Sequence, residues 1–276
     1  MSKLNRIFFV LLVSIFISSC IVTTRIVGDT HTTSGSALIG GKLYTSAWIQ
    51  QSAEYKALCQ QAYNIARERV EQATSGAVKN GAKPWAIITD IDETILDNTP
   101  NAVHLALRGK DFSSQSWNEW CELAAADTLM GALDFFCFAQ DRGVEIFYVS
   151  NRDEVNREGT IENLHRFGFP RVDDDHLLLR KDSSDKSDRR MEIMNNYNVL
   201  LLLGDNLGDF DHLFDSLNSK DREEALLKFR TEFGRKFIVI PNPNYGTWER
   251  VILHGATSRQ DQERLLIHSL RTQQSE

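Results

Sequence analysis

Asp90-Ile91-Asp92-Glu93-Thr94 follows directly on the apolar run Trp85-Ala86-Ile87-Ile88-Thr89, so two carboxylates spaced two apart mark the end of a buried segment. A second such place lies far downstream, where Val199-Leu200-Leu201-Leu202-Leu203 runs into Gly204-Asp205-Asn206-Leu207-Gly208-Asp209. Carboxylates gathered at strand ends repel one another unless a positive charge stands between them, and a divalent cation meets that need. Ser150 and the polar stretch from Arg180 to Lys186 end two further apolar runs and add a hydroxyl and an ammonium. Any one of these alone is ordinary turn chemistry. All four at strand ends in the same order point instead to phosphate chemistry, which asks for a nucleophile, an acid and neutralising charge.

The elements that must carry these residues read as strands alternating with helices. Besides 85–89, the apolar runs are Val144–Val149, His176–Leu179, Val199–Leu203 and Phe237–Ile240, mostly continuous, as strands buried on both faces are. Helical periodicity fills the intervals: Gly131–Arg142, closing at Gly143; a segment opened by Asp153 and closing at Gly168; 185–197; and 220–234. This alternation predicts an α/β fold, a parallel central sheet covered on both faces, with ligands beyond the carboxyl ends of its strands. Trp48, Tyr55, Leu58, Ala62, Ile65, Ala66 and Val70 recur at helical spacing, predicting one long helix from Ser46 to about Gln72. Its stripe covers the sheet or a partner chain, which leaves a homodimer as one expectation. Residues 100–130 fit the alternation poorly and follow the Asp90 loop at once. They read either as a small cap over the site or as a plain helical insertion.

The chain of 276 residues is 42% hydrophobic and 25% charged, which suits one α/β domain with attachments, or at most two domains. Its net charge of −7 argues against a nucleic-acid polymer as partner and leaves small anions open. Lys3 and Arg6, the apolar stretch Ile7–Ile17 and then Ser18-Ser19 have the order of a secretory leader. Ile17-Ser18-Ser19-Cys20 resembles the cleavage box of bacterial lipoproteins, which implies a lipid on Cys20 and anchoring at the outer membrane; an ordinary leader with a chance cysteine is the alternative. Cys59, Cys121 and Cys137 remain, an odd number that reads as buried thiols or as one bridge. The expected layout is a leader over 1–19, Cys20 and a flexible tether over 20–43, an N-terminal helix within 44–80, a core over 81–255 with its cap at about 100–130, and a tail over 256–276.

Taken together, Asp90-Ile91-Asp92-Glu93-Thr94, Ser150-Asn151-Arg152, Lys186 and Gly204–Asp209 resemble the haloacid dehalogenase (HAD) superfamily. More narrowly, Asp92–Asn98, Val149–Arg152 and Asn244-Tyr245-Gly246-Thr247-Trp248-Glu249 are similar to the class C acid phosphatases, secreted or lipid-anchored bacterial enzymes. The resemblance runs from about Trp48 to Trp248 and implies a three-layer Rossmann-like fold with a small helical cap. It makes Asp90 the nucleophile that becomes an aspartyl-phosphate. Asp92 becomes the proton donor and acceptor, its backbone carbonyl also a metal ligand. Asp205 and Asp209 complete a Mg²⁺ site, directly or through water. Ser150 and Lys186 serve the phosphoryl oxygens; Lys181 and Arg180 compete for the lysine role. Because a free Asp titrates near ~4 and Asp92 must start protonated, an acid optimum follows.

The substrate expected is a small phosphomonoester, often a nucleotide, with Asn151, Arg152, Trp117 and Tyr245 as contacts; Trp117 and Trp120 serve otherwise to pack the cap. Two alternatives stay open. The phosphoryl group passes to an alcohol instead of water, or the chain is a surface binding lipoprotein (for haem or adhesion) on a retained enzyme fold.

Overall fold

The computed structural model of the chain describes residues 36–76 and 81–273. The leader, Cys20 and most of the expected tether lie outside the described residues. The chain opens with two helices, α1 (Ala37–Gln51) and α2 (Ala53–Thr74), and enters the sheet at β1 (Trp85–Thr89). A short ribbon of β2 (Leu96–Asp97) and β3 (Asp127–Thr128) holds α3 (Thr99–Ala106) and α4 (Ser114–Glu122) between its arms. Then come α5 (Ala132–Asp141), β4 (Glu145–Asp153), α6 (Arg157–Phe167), β5 (Leu177–Arg180), α7 (Ser187–Asn196) and β6 (Asn198–Gly204). The chain continues through α8 (Ser219–Phe229), β7 (Phe237–Val239), α9 (Thr247–Ile252) and α10 (Arg259–Ser269).

The sheet order is β5-β4-β1-β6-β7, with every pairing parallel. Period-2 alternation sorts its side chains into two cores. Ile87, Ile146, Tyr148, Leu201 and Leu203 face α2 and α5, where Tyr63, Ala66, Phe135 and Phe136 are buried. Ala86, Ile88, Phe147, Val149 and Leu202 face α7 and the 207–237 region, through Ile193, Phe210 and Phe237. The three layers expected from the continuous apolar runs are present. Gly168, at φ 84, ends α6 in the left-handed conformation that its position requires.

The strand order places the site. The chain moves outward from β1 to β4 and β5, then returns to the other side of β1 as β6, so the order reverses between β1 and β6. Ligands bind at the carboxyl edge of such a reversal. In β4 the register against β5 shifts between Val149 and Asp153, so that Ser150, Asn151 and Arg152 bulge where their side chains are re-aimed.

Three expectations are corrected. The single helix from Ser46 to Gln72 is two helices, because Ser52 adopts an extended conformation, accepts from the Tyr55 N–H at 3.1 Å and donates its own N–H to Trp48 O. Serine favours such caps over helix interiors. The tether does not run to residue 43: helix α1 begins at Ala37 despite Gly40 and Gly41, its Ser46 and Ile49 buried against the rest of the fold. The C-terminal stretch contains α10, capped by Ser258, whose hydroxyl accepts from the Asp261 N–H at 3.1 Å. Of the two readings of the cysteines, the thiols hold: Cys59, Cys121 and Cys137 are free, the first two buried.

Candidate active site

The backbone ladder itself brings the two acidic loops together. Thr89 pairs with Leu203, and the Asp90 N–H donates to Leu203 O at 2.9 Å, so Asp90 and Asp205 leave adjacent strands side by side. Carboxylate oxygens of Asp90, Asp205 and Asp209 lie within 4.8 Å of one another. Lys186, just before α7 and 5% exposed, places its ammonium between Asp90 and Asp209, 2.6 Å from Asp209 Oδ1. Asp205 is fixed from two sides, accepting from Asn242 Nδ2 at 2.7 Å and from Thr94 Oγ1 at 3.3 Å. Asp209 folds back to accept from the Asn206 N–H at 3.1 Å. Gly204 makes that possible: a Cβ there would sit 2.3 Å from Asp209 Oδ2.

Burial pushes the Asp90 carboxyl up to about 7; Lys186 pulls it down, and Asp209 and Asp92 push it further up. Asp205 is driven well above the carboxylate range by burial, then by Asp209 and Asp90. Burial would lower Lys186, but Asp209 and Asp90 outweigh it and hold the ammonium above its ordinary value. The carboxyl groups of Asp90, Asp92, Glu93, Asp205 and Asp209 outnumber the cations Lys186 and Arg152 that contact them. An all-oxygen cluster with surplus negative charge fits a hard divalent cation.

Asp92 sits in a different environment. Arg152 donates to it through Nε at 3.0 Å and Nη2 at 2.8 Å, and Asn98 Nδ2 adds a bond of 2.9 Å. Arg152 is 1% exposed and its remaining Nη1 donates to Thr160 Oγ1 at 3.1 Å. Asn98 is in turn oriented by Trp120, whose Nε1 donates to Asn98 Oδ1 at 2.8 Å. Asp92 is thereby clamped, its Oδ1 accepting from three donors, a fixed carboxyl beside the Asp90 pocket.

Between them, Glu93 turns at φ 56, uncommon for a residue with a side chain. Its buried carboxyl accepts from the Asn98 N–H at 2.8 Å and from the Tyr245 hydroxyl. Burial, then Asp92 and Asp205, push Glu93 well above the usual range. The turn that separates Asp90 from the ribbon is thus tied to the loop after β7.

The expected site residues fall into two groups. Asp90, Asp92, Lys186, Asp205 and Asp209 converge, and Ser150, fully buried, lies in the β4 bulge with its Oγ accepting from the Arg152 N–H at 3.1 Å. Of the expected substrate contacts, three make hydrogen bonds within the protein and the fourth stands beside Arg152. Arg152 is not open to a ligand, since its guanidinium is spent on Asp92 and Thr160. Asn151 is exposed and engages Ser184 O and Arg189. Tyr245 donates its hydroxyl to Glu93. Trp117 lies 5.7 Å from the Arg152 guanidinium and 6.1 Å from Phe112. Arg180 pairs with Asp153, not with the acid cluster. Glu93, Asn98 and Asn242 escaped the sequence reading as separate players, although Glu93 and Asn98 stand within the motif that carried it.

A model of the HAD superfamily, subfamily IIIB (acid phosphatase), matches residues 24–248. Acid phosphatase 1 of Solanum lycopersicum is 30% identical over 119 residues, an alignment spanning 40% of this chain and 45% of that protein. The class C acid phosphatase of Bacillus anthracis superposes with a TM-score of 0.80 at 33% identity, covering 86% of this chain and 99% of that one. Its structure with tungstate bound gives 0.81 at 32% identity over the same shares. With the family model spanning most of its length and these acids at the tips of β1 and β6, the chain belongs to the acid phosphatases of HAD subfamily IIIB, a family of phosphomonoester hydrolases.

Proposed function

We propose that the chain is a Mg²⁺-dependent acid phosphomonoesterase acting outside the cytoplasm on small phosphate monoesters, nucleoside monophosphates foremost, through an aspartyl-phosphate on Asp90. One observation carries this reading: the Asp90, Asp205 and Asp209 carboxylates meet at the strand-order reversal, with Lys186 between Asp90 and Asp209. The tungstate seen in the Bacillus anthracis relative, a tetrahedral oxyanion of phosphate shape, supports a phosphoryl group as ligand.

Asp90 attacks the phosphorus in line with the ester oxygen. Lys186 and Ser150 offer positive charge and a hydroxyl donor to the phosphoryl oxygens, whose charge spreads in the transition state. Asp92, held by Arg152 and Asn98, gives a proton to the departing alkoxide and takes one from the water that opens the acyl-phosphate. Asp90, Asp205 and Asp209, with the Asp92 carbonyl as the resemblance implies, would hold Mg²⁺. Bound there, the ion would neutralise charge on the phosphoryl group. Trp117 of α4 and the ring of Tyr245 offer apolar faces for the rest of the substrate. A leader over 1–19, a lipid on Cys20, outer-membrane anchoring and a homodimer belong to the same proposal.

Phosphate release from AMP by the protein is measured with Mg²⁺, with chelator and as Asp90→Asn. Loss of release in the last two is expected, and unchanged release in both refutes the mechanism. Excess glycerol in the first arm separates water from an alcohol as acceptor.

A further inference from the structure

The segment after β7, Asn242–Thr247, is tied by side chains to three separate parts of the fold. Asn242 reaches Asp205, Asn244 reaches Ser46 of α1 at 2.9 Å, Tyr245 reaches Glu93, and Thr247 accepts from Asn206 Nδ2 at 3.0 Å. Within it, Asn242 works as a two-ended connector. Its Oδ1 accepts from the Asn244 N–H at 2.8 Å and its Nδ2 donates to Asp205, so the amide has one sensible orientation. Asn244, 2% exposed, is gripped by α1 at both ends. Its side-chain amide donates to Ser46 Oγ, and its carbonyl accepts from Lys42 Nζ, which also pairs with Glu249 at 2.9 Å. Ser46 is fully buried and four residues from Lys42, so both reach the loop from one face of α1.

We infer that α1 is a positioning element for the cation-binding acids: Ser46 and Lys42 fix Asn244, Asn244 fixes the amide of Asn242, and Asn242 fixes Asp205. The inference rests on the reading of Asp205 as a metal ligand. Hydrogen bonds that orient a ligand's carboxylate set how much must be ordered when the ion binds. Without the Ser46 grip, the Asn242 amide samples other rotamers and Asp205 is left facing Asp90 and Asp209 with only Thr94 to hold it. Ser46 touches neither substrate nor metal; it acts through the loop.

The test is the rise in denaturation temperature of the full chain as Mg²⁺ is added, which reads affinity without turnover. Ser46→Ala is expected to raise the Mg²⁺ concentration for half-maximal stabilisation by about tenfold, the low end of what outer-shell partners of a metal contribute. Lys42→Met, a partly exposed change that spares the buried serine, is expected to move the midpoint in the same direction. Asn242→Ala is expected to shift the midpoint further, and adding Ser46→Ala to it is expected to change nothing more, because the two act in series. Thr45→Ala, on the same helix with bonds only to α1's own carbonyls, is the control expected to match the parent. A parental midpoint in Ser46→Ala, or full additivity with Asn242→Ala, overturns the inference while leaving the metal site standing. If instead Asp205→Asn is stabilised by Mg²⁺ as the parent is, the metal reading itself falls, and this inference with it.

Discussion

Replacing Arg152 by Met separates two roles that lead to opposite kinetics. The side chain is 1% exposed and directs Nε and Nη2 at Asp92 over 2.8–3.2 Å, with Nη1 on Thr160. Methionine fills much of the same volume but leaves Asp92 with Asn98 as its remaining partner. Removing one member of a buried ion pair costs about 3–5 kcal/mol. Asp92 keeps 15% side-chain exposure, so some solvation returns and the lower end, about 3 kcal/mol, is the expectation. For a domain of this size that is a fall of about 6–12 °C in melting temperature. The kinetic consequence follows from position. A proton donor free to swing by an ångström loses about 10²-fold in rate. If Arg152 orients Asp92, kcat for an aryl phosphate falls about that far while KM stays near the parent. Arg152→Lys, which keeps the charge without the planar fork, is expected to fall between. Steady-state kinetics with a chromogenic aryl phosphate, beside thermal denaturation, gives both numbers. An unchanged kcat with a raised KM makes Arg152 a substrate contact and refutes the orienting role.

Gly204→Ala places a Cβ 2.3 Å from Asp209 Oδ2 and 2.5 Å from its Cβ; a loss of about 1–3 kcal/mol and weaker Mg²⁺ stabilisation are expected in a denaturation series, and a parental melting curve refutes the close approach. Tyr245→Phe removes the hydroxyl that donates to buried Glu93 and is expected to cost about 1–3 kcal/mol, measured by urea unfolding; no loss shows the bond to be idle. For pH, Asp90 (about 7), Asp205 and Glu93 are all raised, so the fold holds protons that the unfolded chain has released. Their stability is full below the ordinary carboxylate values and drains away as pH rises through the folded ones. Glu154 and Asp185, held down by hydrogen bonds with Arg157 and Ser187, act oppositely but are already ionised in both states above about pH 5. Chelated protein is therefore expected to melt at lower temperature as pH goes from 5 to 8, with Mg²⁺ flattening the fall; a flat or rising profile in chelator contradicts it.

Strand placement was legible because burial on both faces writes continuous apolar runs, and Asp90, Ser150 and Asp205 sit where those runs stop. The convergence of Asp90 with Asp205 was legible too, since parallel strands share a carboxyl edge. Arg152 was not: in a register shift of β4, side-chain direction depends on how far the bulge rotates the backbone, which spacing does not record. The break at Ser52 is capped by that serine, but the apolar stripe from Trp48 to Val70 keeps helical spacing straight across it and hides it. Helix α1 starts at a local cap, Ser36, but it runs on through Gly40 and Gly41 with tertiary support, Lys42 and Ser46 bonding to a loop some two hundred residues away. The link from Asn242 to Asp205 has the same origin, since nothing in Pro241-Asn242-Pro243-Asn244 announces which carboxylate it will meet.

The ribbon of β2 and β3 has a consequence for how such a chain changes over time. The polypeptide departs at Asp97 and comes home opposite it at Asp127, so the stretch between is a detour whose two feet stand on neighbouring stones. Apart from Asn98 at its very start, which donates to Asp92, and the indole of Trp120 resting on Asn98, that detour lends no hydrogen-bonding side chain to the carboxyls at the strand tips. Its interior can lengthen, shorten or swap aromatic rings while the hydrolytic machinery keeps its shape, so appetite for one phosphate ester over another can drift independently of the ability to cleave it.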